Sequence, residues 1–335
     1  MTATDVVCLG ESMVTFLPSR PGRLADVPSF TRAIGGAESN VACALASAGH
    51  RVRWVSRVGT DSFGDHLVEA VAAHGVDTGS VRRDPHRPTG VYFRTATDRA
   101  GGAHEVVYYR SGSAASAMSP RTVPPEDLAG ARVLHLTGIT AALSPGCLAL
   151  TRDLTTRRPG RPLVSFDVNH RPGLWRGADP AVLRDLARGA DLVFVGEDEA
   201  EAAWGLPGAA AVREALPEPA VLVVKHGARG ATAYTGGTAT FVPAPRVDVV
   251  APVGAGDAFA AGFLSATLRG LPVRHRLRHG HLMAAAALTV PGDLGTPPAP
   301  AHADRLADLD DTAWGRLHLG PGWTRTGEDQ EVRTP

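Results

Sequence analysis

At 335 residues, the chain can make one large α/β domain or two modest ones. Apolar residues at 44%, charged at 20% and aromatic at 5% describe a globular composition with enough length to bury a sizeable core. The 34 basic and 34 acidic side chains cancel, so no overall field attracts nucleic acid or a membrane surface, and no apolar run reaches the roughly 18 residues of a membrane span.

In chain order, short apolar runs alternate with helical patterns. MTATDVVCLGESM has no basic segment before an apolar core, so it reads as a first strand over 6–9 ending at Gly10 rather than a signal peptide. A helix follows at 38–49, a strand at 53–58 and a helix at 63–74 closed by Gly75. Further strands fall at 133–136, 163–167, 192–195 and 221–225, most of them followed by a helical stretch. A helix covers 257–268, and 181–190 reads as a helix covering the core. This rhythm predicts a mostly parallel sheet covered by helices. Two stretches, 13–33 and 88–112, alternate like strands with no helix between them and predict a small antiparallel sheet, whose exposed face invites a partner or covers a site. RHRLRHGH, 274–281, reads as a solvated helix face rather than a zinc site, because no thiol or acidic ligand is near. The main body is expected over 1–310 and a poorly ordered polar tail over 311–335. Cys8, Cys43 and Cys147 are far apart among small or apolar neighbours, which predicts buried free thiols and fits a reducing cytoplasm.

Five segments can carry chemistry. In PVGAGDAFAAGF, 252–263, a Gly254-Ala255-Gly256 turn runs into a helix with Asp257 in its first turn. Bare amides and the helix dipole there suit a transferring phosphoryl group, and Asp257 can accept the proton of an attacking hydroxyl. The plainer reading is a helix start with an aspartate. The pattern is not a dinucleotide fingerprint, because Phe259 holds the third glycine position, and Lys225 followed by His226 is not a Walker A loop. IGGAESNVA, 34–42, is a glycine turn before a helix, or a sugar-hydroxyl site using backbone amides and Asn40. VVYYRSGSAAS, 106–116, puts Tyr108, Tyr109 and Arg110 at a strand end, as packing or as a planar fork for a carboxylate. SFDVNHRPGLW, 165–175, ends a buried strand in Asp167, Asn169 and Arg171, where open α/β sheets bind ligands. VVKHGARGATAY, 223–234, is a plain hairpin or a turn beneath a nucleotide.

Together these motifs resemble the ribokinase-like (phosphofructokinase B type) carbohydrate kinases over residues 5–300, with the glycine pair and GAGD in order and about 220 residues apart. Within that family, GGAESN, YYRSGSAAS, DVNHRPGLW and PVGAGDAF are most similar to 2-keto-3-deoxygluconate kinases. The resemblance implies a three-layer αβα domain with a β-sheet lid, ATP and Mg2+ as cofactors, and a homodimer or higher homo-oligomer joined through the lid. It implies a sugar site from Gly35, Gly36, Ala37, Glu38, Ser39, Asn40, Tyr92, Tyr108, Tyr109, Arg110, Arg171 and Asp293. Asn169, Arg171 and Lys225 would face the phosphates, Gly227, Ala228, Arg229, Gly230, Ala231 and Thr232 the nucleotide. Gly254, Ala255 and Gly256 would form the anion hole, with Asp257 as base. Ala251 stands where the family usually has the aspartate that helps hold a monovalent cation, so potassium activation is not implied. Gly196-Glu197-Asp198-Glu199 replaces an Asn-x-x-Glu segment, leaving Glu199 to hold magnesium through water. A neutral-sugar or nucleoside kinase, and a catalytically weak sugar-binding regulator, remain open beside the sugar-acid kinase.

Overall fold

The computed structural model describes residues 4–20, 22–95 and 105–325. The chain begins with β1 (Val6–Leu9), then β2 (Met13–Pro18), β3 (Phe30–Gly35) and α1 (Ala37–Ser47). It continues through β4 (Val52–Gly59), α2 (Ser62–Ala73), β5 (Val81–Asp84), β6 (Val91–Arg94) and β7 (Val106–Tyr109). The middle holds β8 (Val133–Thr137), α3 (Gly138–Ala142), α4 (Pro145–Thr155), β9 (Leu163–Asp167), α5 (Ala181–Gly189) and β10 (Leu192–Gly196). Next come α6 (Glu197–Trp204), α7 (Gly208–Ala215), β11 (Val221–Lys225), β12 (Ala231–Thr235), β13 (Thr238–Val242) and β14 (Arg246–Val247). The chain closes with α8 (Ala255–Leu268), α9 (Val273–Leu288), α10 (Pro300–Ala307), α11 (Asp311–Arg316) and β15 (His318–Leu319).

Nine strands form the main sheet in the order β13-β12-β11-β10-β9-β8-β1-β4-β5. All pairs from β11 to β5 are parallel, and only the β12 and β13 edge is antiparallel. Strand side chains alternate between faces, and the core divides accordingly. Val6, Cys8 and Val223 face one apolar layer with Val41, Phe263 and Leu282 of α1, α8 and α9. Val7, Leu9, Leu222 and Val224 face the other, with Leu150, Leu183 and Val212 of α4, α5 and α7. The result is the three-layer αβα arrangement. Local chemistry sets helix starts: Asp61 accepts from the Gly64 amide at 2.8 Å before α2, and Ser144 accepts from Cys147 before the Pro145 start of α4. The three cysteines are buried and free. Among the described residues no helix is long and apolar enough to cross a membrane.

Three expectations need correction. The small sheet, β3-β2-β6-β7, is mixed rather than antiparallel, because β2 and β6 pair in parallel. That pairing joins two separate insertions rather than a hairpin, so nothing forces antiparallel order. Part of the predicted second insertion, 96–104, lies outside the described residues. The tail expectation fails for 311–325: α11 buries Trp314, whose indole donates to the Pro243 carbonyl at 2.9 Å, and β15 pairs with β14. Residues 326–335 lie outside the described set. Segment 274–281 is not a solvated face. Arg278 is 2% exposed, stacks 4.7 Å over Trp314 and donates to Ala307 and Asp311, while His281 bonds the Val242 carbonyl. Those partners come from α10, α11 and β13, which local periodicity cannot foresee.

Candidate active site

Helix α8 is the frame. Gly254, just before it, has φ +73°, and a Cβ there would lie 2.2 Å from the Asp293 carbonyl oxygen. Only glycine satisfies both conditions. No side chain caps the helix, so its first amides are open to an anion in the partial positive field of the N-terminus. Gly256 is exposed, and the Lys225 ammonium lies 3.6 Å from the place its Cβ would take. Asp257 sits half-buried in the first turn and accepts from the Asn40 side-chain amide at 2.8 Å. Burial, with the Asp167 charge adding to it, pushes the Asp257 carboxyl up to about 7, against the Asn40 hydrogen bond and the charges of Arg171 and Lys225.

The strand ends supply the neighbouring charges. Lys225 closes β11 and Asp167 closes β9, with β10 between them. β10 ends in Gly196, level with Lys225, and Lys225 donates to both Asp167 oxygens at 3.2 and 2.9 Å. Burial disfavours the ammonium, but Asp167 and Glu199 outweigh it and raise the Lys225 pKa. Glu199 is spoken for as well. One oxygen accepts from the Gly196 amide, three residues earlier at the start of α6, at 2.8 Å, the other from Arg171 at 3.3 Å. Asn169 has φ 41°, the only positive-φ non-glycine among the described residues, and its buried side-chain oxygen has no partner. Asparagine tolerates that region better than most residues.

The small sheet closes the other side. Strand alternation puts Tyr92 and Arg94 on the face that meets Asp293: the Tyr92 hydroxyl is 3.3 Å and the Arg94 guanidinium 2.9 Å from its oxygens. Tyr108 packs 5.5 Å from Tyr92. Gly35 is needed there because a Cβ would strike the Tyr92 hydroxyl at 2.1 Å, and a Cβ on Gly36 would strike the Glu11 carbonyl at 2.4 Å. Arg110 is held by Glu11, which also accepts from Ser113. The Arg110 Nε has no partner.

The structure therefore gathers Gly35, Asn40, Tyr92, Asp293, Gly254 and Asp257 into one set of contacts, with Lys225, Asp167 and Arg171 beside it. Several expectations are corrected. Glu38 stands apart from this set: it is 0% exposed, accepts from Thr137 and Thr140 at 2.8 and 2.6 Å, and lies over Gly10. Ser39 likewise turns inward to Ser12 at 2.9 Å, and Ala37 is buried. Tyr109 points to the outer face with Phe93 and is 64% exposed, one residue out of phase with Tyr108. On the nucleotide side Gly227, Ala228 and Arg229 are exposed, Arg229 pairing with Glu197, whereas Gly230 and Ala231 are buried and Thr232 bonds His226 at 2.9 Å. Sequence reasoning missed Glu11, Ser113 and Arg94. Two signals were available: Glu11 follows the C-terminal end of β1, and Arg94 shares the face of Tyr92 two residues on.

The signature described as pfkB family carbohydrate kinase matches residues 3–300. The chain belongs to that family. It is a carbohydrate kinase, with the ribokinase-like fold. A 2-dehydro-3-deoxygluconokinase of Bacillus subtilis is 37% identical over 298 residues, covering 87% of this chain and 91% of its own. One from Thermoproteus tenax is 34% identical, covering 90% and 94%. The crystal structure of a 2-dehydro-3-deoxygluconokinase from Thermotoga maritima superposes with a TM-score of 0.82 at 25% identity, covering 92% of this chain and 99% of that one. The similarity to 2-keto-3-deoxygluconate kinases read from the motifs holds; the two names denote one sugar acid.

Proposed function

We propose that this kinase transfers the γ-phosphoryl group of ATP to the C6 hydroxyl of 2-keto-3-deoxygluconate. The observation that carries the reading is Asp257: an accessible, Asn40-oriented carboxylate beside the open amides of α8. The C6 hydroxyl attacks the γ-phosphorus and passes its proton to the Asp257 carboxylate. A new oxygen–phosphorus bond forms as the bond to the β-phosphate oxygen breaks, and ADP leaves. Amides of Gly254, Ala255 and Gly256 hold the charge on the transferring group. Lys225 and Arg171 supply positive charge next to it, with Asn169 at the same strand end. The turn at 227–232 borders the nucleotide. Among the described residues no three acidic, histidine or cysteine side chains form a direct metal site. That suits Mg2+, which keeps several waters and binds mainly through substrate phosphates; Glu199, whose two oxygens already accept from Gly196 and Arg171, would hold it only through water. When bound, Mg2+ neutralises charge on the β- and γ-phosphates. The buried methyl group of Ala251 offers a monovalent cation no oxygen.

Substrate class rests on Arg110. Glu11 takes one nitrogen of its fork, and the rest of the guanidinium is assigned to a sugar carboxylate. The outer face of the small sheet, with Phe16, Phe93 and exposed Tyr109, suits a second copy of the chain in a homodimer. Buried free thiols fit the cytoplasm. ADP release with a panel of sugars and sugar acids tests the reading. The sugar acid should be strongly preferred, and Arg110→Ala should cost it at least about tenfold in kcat/KM while weak neutral acceptors change little. A dominant neutral sugar, or equal losses for both classes, would remove the sugar-acid assignment.

A further inference from the structure

We infer that Arg94 is a positioning residue for sugar binding, tying the small sheet to the anion turn through the Asp293 carboxylate. This rests on the reading of these contacts as a sugar kinase site. Arg94 and Asp293 are 3% and 9% exposed, so the pair lies at the closed seam between β6 and the core. A buried ion pair is seldom needed for stability, since apolar side chains of similar volume commonly do as well. What it supplies is direction: the Arg94 guanidinium takes one Asp293 oxygen at 2.9 Å and the Tyr92 hydroxyl the other at 3.3 Å.

Asp293 sits in the irregular segment after α9, with no strand or helix to fix it. Its carbonyl occupies the space beside Gly254 where a side chain would be, so a displaced Asp293 is felt at the turn that opens α8. Gly35 completes the seam, because its missing Cβ makes room for both the Tyr92 hydroxyl and the Asp293 carboxylate. One contact set thus joins the small sheet, the glycine pair and the anion turn. Arg94 also differs from the framework arginines. Arg157 spends one nitrogen on three main-chain carbonyls, those of Arg188, Ala190 and Glu218. Arg94 is committed to Asp293 and its Nε has no partner. With Arg94 in place the Asp293 carboxylate is aimed as a fixed acceptor for sugar hydroxyls. Without it the buried carboxylate loses its charged partner, and Tyr92 alone is left to fix the direction of one oxygen.

The test is a double-mutant cycle read by sugar KM, ATP KM and kcat separately. Arg94→Met should raise the sugar KM at least about tenfold, or about 1.4 kcal/mol, with ATP KM within about twofold of wild type. Arg94→Lys keeps the charge without the fork and should recover most of that loss. Asp293→Asn should raise the sugar KM by itself, and adding Arg94→Met to it should cost little more. An unchanged sugar KM in Arg94→Met overturns the inference. So do sugar and ATP KM values that rise together, or losses that multiply in the double variant. Should Arg94→Met fail to fold, the cycle runs with Arg94→Lys, whose smaller rise must also vanish in the Asp293→Asn background. If the wild-type protein ignores the sugar acid, the functional reading fails, and the same cycle on the preferred sugar still decides the role of Arg94.

Discussion

Two helices of one layer each carry a carboxylate pushed up to about 7, and they hold it in opposite surroundings. Asp257 stands in the first turn of α8, facing the open amides and Lys225, with Asn40 as its partner. Glu38 stands in the first turn of α1, wholly buried, with Thr137 and Thr140 on one oxygen and Gly10 against its carboxyl. Desolvation is the largest cause in both. A raised carboxyl pKa therefore marks burial and does not by itself mark a base. The difference is access: Asp257 is only half-buried, whereas Glu38 is sealed between α1 and the ends of β1 and β8.

The sharpest way to break this comparison is Asp257→Asn. It keeps size and can keep a hydrogen bond to Asn40, but it cannot take a proton. Turnover should fall by at least about 10²-fold while sugar binding, measured by calorimetry, survives. A rate near wild type would place the base elsewhere. The next effect is on pH dependence. On the proposed role of Asp257 as base, only its ionised carboxylate accepts the proton, so kcat should rise with pH through a midpoint near 7. Asn40 stabilises the ionised form, so Asn40→Ala should move this acid limb to higher pH as well as lower the rate. A limb that stays in place would detach Asn40 from the base.

Legibility followed the range of the interactions. The βα rhythm, the glycine turn at 254–256 and Asp257 in the first turn of α8 are local, and the sequence shows them directly. Asn40 was legible as part of a helix start but not as the partner of a residue 217 positions later. Glu38 was misplaced because a polar residue after a glycine pair looks the same whether it faces the site or the threonines of β8 and α3. Tyr109 was misplaced by one step of strand alternation, which needs the register with β6 to resolve. The Glu11–Arg110 and Arg94–Asp293 pairs join segments 99 and 199 residues apart, and no local pattern announces them. The buried face of α9 depended on α10, α11 and the ordered stretch to 325, whose polar composition concealed Trp314.

The mildest effect belongs to Glu38→Gln, and it isolates burial from catalysis. Glutamine keeps an acceptor for Thr137 and Thr140 and carries no charge. If Glu38 is only a packed carboxyl, kcat should stay within about threefold of wild type. Stability should respond instead. The Glu38 carboxyl titrates near 4.5 when unfolded and near 7 in the fold, so between those values the folded state holds the extra proton. The stability it contributes is present below about 4.5 and is lost as pH rises towards 7. Glu38→Gln removes that titration, so its melting temperature relative to wild type should increase across the same window. A constant difference from pH 4.5 to 7 would mean that Glu38 stays ionised in the fold, stabilised by the threonine hydroxyls more than it is penalised by burial. A collapse of kcat with an unchanged melting profile would make Glu38 part of the reaction and erase the distinction between the two helices.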